Sequence, residues 1–253
     1  MVGGSIRHWP KIAVHFLFPD VCMLCGRLLS PGDNCSEETK GLLICSQCLC
    51  RIVPRHGDER IFPCLSDPYE GDPIPDFAVW ALLHYEMPVT VLLRNLKFHS
   101  WRYAGKLLGN LIAREFPKDL PAKWDAVIPV PLSEKRMRQR GYNQASVLAE
   151  DLAKTLDAPL LEETLIRTRH THQQSRYTDP VSRNENVKGA FAVSEKWDIQ
   201  GWNILVVDDI LTTGATLHEA AKVLYEAGAA RVMGVVAATH REKNSGKGKT
   251  PAQ

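Results

Sequence analysis

Two acids and three threonines crowd one stretch of this chain, Val206-Val-Asp-Asp-Ile-Leu-Thr-Thr-Gly-Ala-Thr216. The apolar run Asn203-Ile-Leu-Val-Val-Asp208 reads as a buried strand. Thr212, Thr213, Gly214, Ala215 and Thr216 then read as a short loop opening a helix over Thr216–Ala227. Backbone N–H groups at a helix start have no partners within the helix and carry partial positive charge, so a phosphate fits there. Gly214 lets the backbone approach it closely. Carboxylates do not hold a phosphate. Asp208 and Asp209, at the carboxyl end of a strand, suit sugar hydroxyls or a bridging Mg²⁺ instead. A P-loop would need a lysine before the Ser/Thr, and none stands here. A flavodoxin-type loop has similar threonines but would follow the first strand of its domain and lacks the acid pair. An N-capped helix after a core strand explains the threonines but not two adjacent acids.

A second chemistry lies near the start of the chain. All seven cysteines, Cys22, Cys25, Cys35, Cys45, Cys48, Cys50 and Cys64, fall within the first 64 residues. Cys22-x2-Cys25 and Cys45-x2-Cys48 are separated by 19 residues, a spacing expected of a four-cysteine zinc site. Two thiolates three apart on a tight turn reach one tetrahedral ion, and a second pair closes the site. Four thiolates leave no open position, which points to a structural ion. A redox pair would sit in a βαβ unit, which this region lacks; a set of buried free cysteines is the plainer alternative. Cys35, Cys50 and Cys64 are left over. An odd count in a chain with no secretory pattern argues against a disulfide framework.

Two basic segments accompany the acid pair. Pro129–Gln144 carries Lys135, Arg136, Arg138 and Arg140 against Glu134. Cations just past a strand's carboxyl end suit a pyrophosphate or a nucleic-acid backbone, although an exposed basic loop would look the same. Leu93–Arg102 sets Arg94, Lys97, His99 and Arg102 beside Phe98 and Trp101. That interleaving suits single-stranded nucleic acid, and equally a helix end with solvated cations and core aromatics. The polar run 167–191 shows no period, and His170 and His172 receive no role.

The elements that must position these groups follow from periodicity. The chain has 253 residues, 44% hydrophobic and 24% charged, with a net charge of +2. It can bury a real core, and any charge argument must be local. Phe77–Tyr85, Trp124–Val130, Asn203–Asp208 and Arg231–Ala238 read as strands. Val89–Leu96, Arg102–Phe116, Tyr142–Leu156 and Thr216–Ala227 read as helices. Strands buried on both faces and separated by helices mean a parallel α/β sheet with right-handed crossovers. A proline-rich linker at 66–75 separates a small domain, 10–65, from a large one, 76–240, and 241–253 reads as a disordered tail. Ile12–Phe18 is interrupted by His15 and falls far short of the ~20 apolar residues that span a bilayer. The expectation is a cytoplasmic protein without membrane insertion.

Val206–Thr216 resembles the phosphoribosyl pyrophosphate (PRPP) signature of type I phosphoribosyltransferases. With the cysteine pairs in front, the chain resembles the ComF family of competence-associated proteins over residues 10–240. The resemblance implies a type I phosphoribosyltransferase-like open parallel sheet flanked by helices, behind a zinc ribbon held by Cys22, Cys25, Cys45 and Cys48. It implies that Asp208 and Asp209 hold ribose hydroxyls and that Thr212, Thr213, Gly214, Ala215 and Thr216 cradle the 5′-phosphate, with Mg²⁺ accompanying PRPP. Pro129-Val-Pro131 and Arg140-Gly-Tyr-Asn-Gln144 match further motifs, and Lys97-Phe98 matches a lysine–aromatic pair. Lys97, Lys135, Arg136, Arg138 and Arg140 would then face the pyrophosphate or a DNA backbone. Residues 167–191 resemble a loop that closes over substrate. The implied role is DNA uptake in natural transformation, with single-stranded DNA and DNA-uptake proteins as partners. The alternative is an active PRPP-dependent transferase of nucleotide salvage. No base-binding hood is legible, and the acceptor stays open.

Overall fold

The computed structural model describes residues 20–29, 43–62, 77–98, 101–118, 120, 123–168 and 189–240. The linker 66–75, the tail 241–253, Cys35, Cys64, His170, His172 and most of the 167–191 run lie outside the described residues. The chain divides into two units, Met1–Ile52 and Val53–Gln253.

In the first unit, the chain reverses tightly after Cys22. The Gly26 N–H donates to the Cys22 carbonyl at 2.7 Å, and Gly26 takes φ +74°, a left-handed conformation that favours glycine. An isolated bridge between Val21 and Leu28 closes the turn. The second pair sits at a one-turn helix, α1 (Ser46–Leu49).

The second unit is built on a five-stranded sheet. Its strands are β1 (Ile61–Phe62), β2 (Ala78–His84), β3 (Ala126–Pro129), β6 (Asn203–Leu211) and β7 (Arg231–Thr239), in the order β1-β2-β7-β6-β3. β2, β7, β6 and β3 run parallel, and only the two-residue edge strand β1 is antiparallel. A separate antiparallel pair joins β4 (Leu165–Arg167) to β5 (Phe191–Val193).

Both faces of the main sheet are covered. Ile204 and Val206 of β6 share a core with Leu217, Ala220, Ala221 and Leu224 of helix α6 (Ala215–Glu226). Leu205 and Val207 are equally buried. Alternation turns them to the other face, where α5 (Gln144–Thr155) packs on β3 and β6. That burial on two sides explains why β6 reads as a continuous apolar run. Beside α5 lies α3 (Arg102–Glu115), which also reaches β2 and β7. The two helices approach closely at Gly105 and Gly109. A methyl group at Gly109 would stand 3.1 Å from the carbonyl oxygens of Val147 and Leu148. α2 (Val89–Phe98) precedes α3. Among the described residues no helix is long and apolar enough to cross a membrane.

Two local differences from the sequence expectation bear on the site. Residues 134–140, read as a basic loop, form helix α4 (Glu134–Arg140). Ser133 caps it by accepting from the Arg136 N–H, and Gly141 ends it in the left-handed region at φ +74°. It buries none of its residues, so it shows no apolar period. β6 runs past the acids to Leu211, because Ile210 and Leu211 pair with Ala238 and Thr239 of β7.

Candidate functional site

A cleft of about 230 Å³ opens beyond the carboxyl ends of β3 and β6, where ligands bind in open α/β sheets. Asp208 and Asp209 form part of its wall, together with Thr212, Gly214, Ala215 and Thr216 from the turn into α6. Lys97 comes from α2, Arg136 and Arg140 from α4, and Arg167 from β4. Asn143, Gln144 and Ala145 at the start of α5 complete this side.

The turn into α6 is shaped for backbone exposure. Gly214 sits before the helix at φ +87°, a conformation that costs residues with a Cβ. No side chain caps the helix from that position. The Thr213 hydroxyl instead accepts from the Ala215 N–H at 3.4 Å. Thr213 therefore supports the turn from behind and does not line the cleft.

The acids are close-coupled. The Asp209 N–H donates to Asp208 Oδ1 at 2.8 Å, and Lys97 Nζ lies 2.9 Å from Asp209 Oδ2. Burial and the charge of Asp209 push the Asp208 carboxyl up to about 7, against the pull of the Asp209 N–H, Lys97 and Arg167. The cations feel the same exclusion of water. Burial and Arg136 bring Arg167 down to about 10 while Asp208 opposes them. Burial also lowers Arg140, and Asp209 counters it. The site thus holds both signs of charge in a poorly solvated space, where each is worth more than in water.

Packing fixes the basic residues. The Arg140 guanidinium lies 5.5 Å from the Phe98 ring centre, and that of Arg167 lies 5.2 Å from the ring centre of Phe191. Tyr142 ties the start of α5 to α2, its hydroxyl donating to the Leu96 carbonyl. Asn143 donates to the Val130 carbonyl at 3.0 Å and accepts from the Ala145 N–H at 3.1 Å. It joins the end of β3 to the cap of α5.

Of the residues singled out in the sequence, the cleft gathers Lys97, Arg136, Arg140, Asp208, Asp209, Thr212, Gly214, Ala215 and Thr216. Lys135 and Arg138 are not among its walls. Both are exposed, and Arg138 pairs with Glu134 at 2.8 Å. A seven-residue helix turns only part of its surface toward the cleft, so a charge count over the segment overstates the site. Sequence reasoning placed Arg167 only within the loop-like run 167–191 and gave it no individual role. Its signal was position: it ends β4, after the buried Leu165.

In the first unit the Sγ atoms of Cys22, Cys25, Cys45 and Cys48 all lie within 4.8 Å of one another. Cys25 and Cys45 are 3.7 Å apart, against about 3.8 Å for two thiolates on a tetrahedral ion with 2.3 Å bonds. The Cys45 N–H donates to Cys22 Sγ at 3.3 Å, support of the kind that metal ligands use. Burial disfavours the Cys22 thiolate, but the N–H groups of Cys45, Leu24 and Cys25 and the Cys25 side chain outweigh it, bringing the thiol down to about 6. Burial and the neighbouring sulfurs push Cys48 up. Four thiolates so close ionise together only around a cation, and the set can hold one metal ion. Cys50 is exposed and outside the cluster.

The Phosphoribosyl transferase domain family matches residues 142–251, which include α5, β6, α6 and β7. The chain is 34% identical to Competence protein F of Haemophilus influenzae over 204 residues, 78% of this chain and 84% of that one. It is 30% identical to DNA utilization protein YhgH of Escherichia coli K12 over 227 residues, 85% and 94% of the two chains. Competence protein ComFC of Bacillus subtilis is 37% identical over 116 residues, 46% and 44% of the two chains.

Proposed function

This chain belongs to the competence protein F family, and from that premise we propose that its cleft binds PRPP with Mg²⁺ in the handling of incoming DNA. One observation carries the reading: an acid pair and an uncapped threonine-glycine turn share a cleft with Lys97, Arg136, Arg140 and Arg167. A bare phosphate would not need the acids, and a neutral sugar would not need the cations.

On this reading Asp208 and Asp209 accept from the two ribose hydroxyls. Thr212, Thr216 and the backbone of Gly214 and Ala215 receive the 5′-phosphate, with Thr213 behind them. Lys97, Arg136 and Arg140 face the diphosphate, and Arg167 adds charge beside Asp208. Lys135 and Arg138, turned to solvent, serve a DNA backbone rather than the diphosphate. Mg²⁺ would arrive with the ligand and neutralise its diphosphate. The four-cysteine cluster holds zinc in a closed, structural site. The relatives' names, competence and DNA utilization, support a role in DNA uptake, with single-stranded DNA and DNA-uptake proteins as partners and the cytoplasm as the place of action.

Transfer to an acceptor is the second reading, and the cations favour it: they would stabilise charge that grows on a departing diphosphate. Calorimetric titration of PRPP and Mg²⁺ tests the site itself. Micromolar binding by the wild type, lost in Asp208→Ala/Asp209→Ala, supports it and calls for an acceptor screen. Failure of the wild type to bind refutes it, and equal binding by the variant refutes the roles of the acids.

A further inference from the structure

Two large aromatic side chains stand in solvent where α2 ends and α3 begins. Phe98, the last residue of α2, is 60% exposed, and Tyr103, the second residue of α3, is 56% exposed. The sequence allowed core aromatics at this helix end, and for these two rings the structure removes that reading. Packing joins their surroundings into one surface. The Arg140 guanidinium at the end of α4 lies against the Phe98 ring. The Arg102 guanidinium at the start of α3 lies 5.5 Å from the ring centre of Tyr142, and Tyr142 donates to the Leu96 carbonyl of α2. Arg140 also lines the cleft, so this corner is continuous with the cleft's rim.

The same corner concentrates positive charge. Segments 87–113 and 131–145 hold eight lysines and arginines and one acid, Glu134, which is paired with Arg138. The whole chain has a net charge of only +2, so the rest of it is net negative. Arg102 and Lys106, one helical turn apart, are both exposed beside Tyr103. The start of a fourteen-residue helix favours acids, yet the first turn of α3 carries none and no side chain caps it. Cations there oppose the backbone's own field, and an arriving anion satisfies both. Exposed rings among cations match a ligand with flat apolar faces and a negative backbone. A strand of unpaired bases has both. In a duplex the base faces are stacked on one another, so a duplex offers only the charge.

We infer that Phe98 and Tyr103 form a stacking platform for single-stranded nucleic acid at the rim of the cleft, with Arg102 and Lys106 receiving the strand's phosphates. The inference rests on the proposed role with single-stranded DNA and gives that strand a place outside the acid pair and the threonine-glycine turn. Arg140, shared with the cleft, holds the Phe98 ring. Lys135 and Arg138 extend the backbone contact along α4. Every base has a face that stacks, so the platform accepts strands of any sequence.

Fluorescence anisotropy of the full chain tests this with three labelled probes: an oligothymidylate of about 20 nucleotides, longer than one such site, an abasic strand of the same length, and a duplex. The wild type should bind the oligothymidylate more tightly than either of the others. Tyr103→Ala and Phe98→Ala should each lose about five- to a hundredfold on the oligothymidylate, the range for one stacked base, and little on the abasic strand. Tyr103→Phe keeps the ring and should bind as the wild type does. Arg102→Gln should lower the salt slope of binding by about 0.7, the value for one phosphate contact on a single strand. Tyr103→Ala should also keep the wild-type affinity for PRPP with Mg²⁺ in calorimetry, because Tyr103 is not among the cleft's walls. Equal binding of oligothymidylate and abasic strand by the wild type overturns the platform, as does equal or tighter binding of the duplex. Unchanged oligothymidylate binding in both alanine variants overturns it too, and so does a loss of PRPP binding in Tyr103→Ala, which would mark that ring as structural. A wild type that binds no strand overturns the DNA role together with this inference, while the PRPP titration still decides the cleft. Thermal melts check folding, and the comparison of Tyr103→Ala with Tyr103→Phe decides if Phe98→Ala fails to fold.

Discussion

Asp208→Asn should stabilise the folded chain at neutral pH while removing a carboxylate that the proposed site uses. In the native protein burial and the charge of Asp209 raise the Asp208 carboxyl from its ordinary 3.8 to about 7. The folded state therefore keeps a proton that the unfolded state releases between about pH 4 and pH 7. Stability falls with rising pH wherever the native state binds more protons. The contribution of Asp208 is thus fully present below pH 4 and lost as pH climbs through 7. A span of about three pH units corresponds to a ceiling of about 4 kcal/mol. Asp208 is half-buried and shares its field with Asp209, Lys97 and Arg167, so about 1–2 kcal/mol is the working figure. Asparagine has no charge to confine and can still accept from the Asp209 N–H. For a unit of this size that relief is worth roughly 3–6 °C in melting temperature. The assay is a series of thermal melts of variant and wild type at pH 4, 6 and 8, without added Mg²⁺. Carboxylates elsewhere, such as Glu115 lowered by Arg60, titrate in both proteins and cancel in the difference. The difference should be near zero at pH 4 and largest at pH 8. A variant that melts below wild type at pH 8, or a difference independent of pH, would refute the reasoning.

Three further outcomes are expected. If the four cysteines hold zinc as proposed, the wild type carries one ion per chain by elemental analysis, and Cys22→Ser should lose it together with protection of residues 20–29 and 43–52 in hydrogen exchange, because metal binding and folding are coupled in such small units; a variant that keeps its zinc would show that the ligands are others. Lys97→Met removes a cation that holds the Asp208 carboxyl down, so its midpoint, followed by carbon NMR of the side-chain carboxyl, should move above its wild-type value. An unchanged or lower midpoint would mean that the ion pair with Asp209 does not reach Asp208. Gly109→Val forces a branched side chain against the carbonyls of Val147 and Leu148, which stand 3.1 Å from even a first methyl. The backbone cannot yield, and the cost should be about 1–3 kcal/mol, read as a melting temperature lower by several degrees; a wild-type melt would show that α3 and α5 do not meet so closely.

The parts of this protein that were legible in its sequence are those whose physics is local. Ile204–Val207 is buried on both faces, so every residue of the run is apolar and the strand declares itself. The turn at Thr212–Thr216 is legible because a left-handed glycine flanked by hydroxyl residues marks the start of a helix after a strand. The cysteine pairs are legible because tetrahedral thiolate geometry dictates spacing. Helix α4 was not, because periodicity reports burial and α4 buries nothing. Its signals were the Ser133 cap and the Gly141 stop, and a basic run between them masked both. The division of that run into residues that face the cleft, Arg136 and Arg140, and residues that do not, Lys135 and Arg138, depends on the helical turn itself. It could not precede knowledge of the helix. Arg167 and Gln144 mark a further limit. Neither was singled out by itself, Arg167 opening the polar run 167–191 and Gln144 closing the Arg140–Gln144 motif, yet each is drawn into the cleft wall beside packed neighbours: Phe191 under Arg167, and Tyr142 and Asn143 just before Gln144. A composition signal averages over such residues, because what distinguishes them is water lost on folding. That loss raises the cost of leaving a charge or a donor unmatched. The groups least visible in the sequence are thus the ones most dependent on a partner, and this cleft places two of them beside its acid pair.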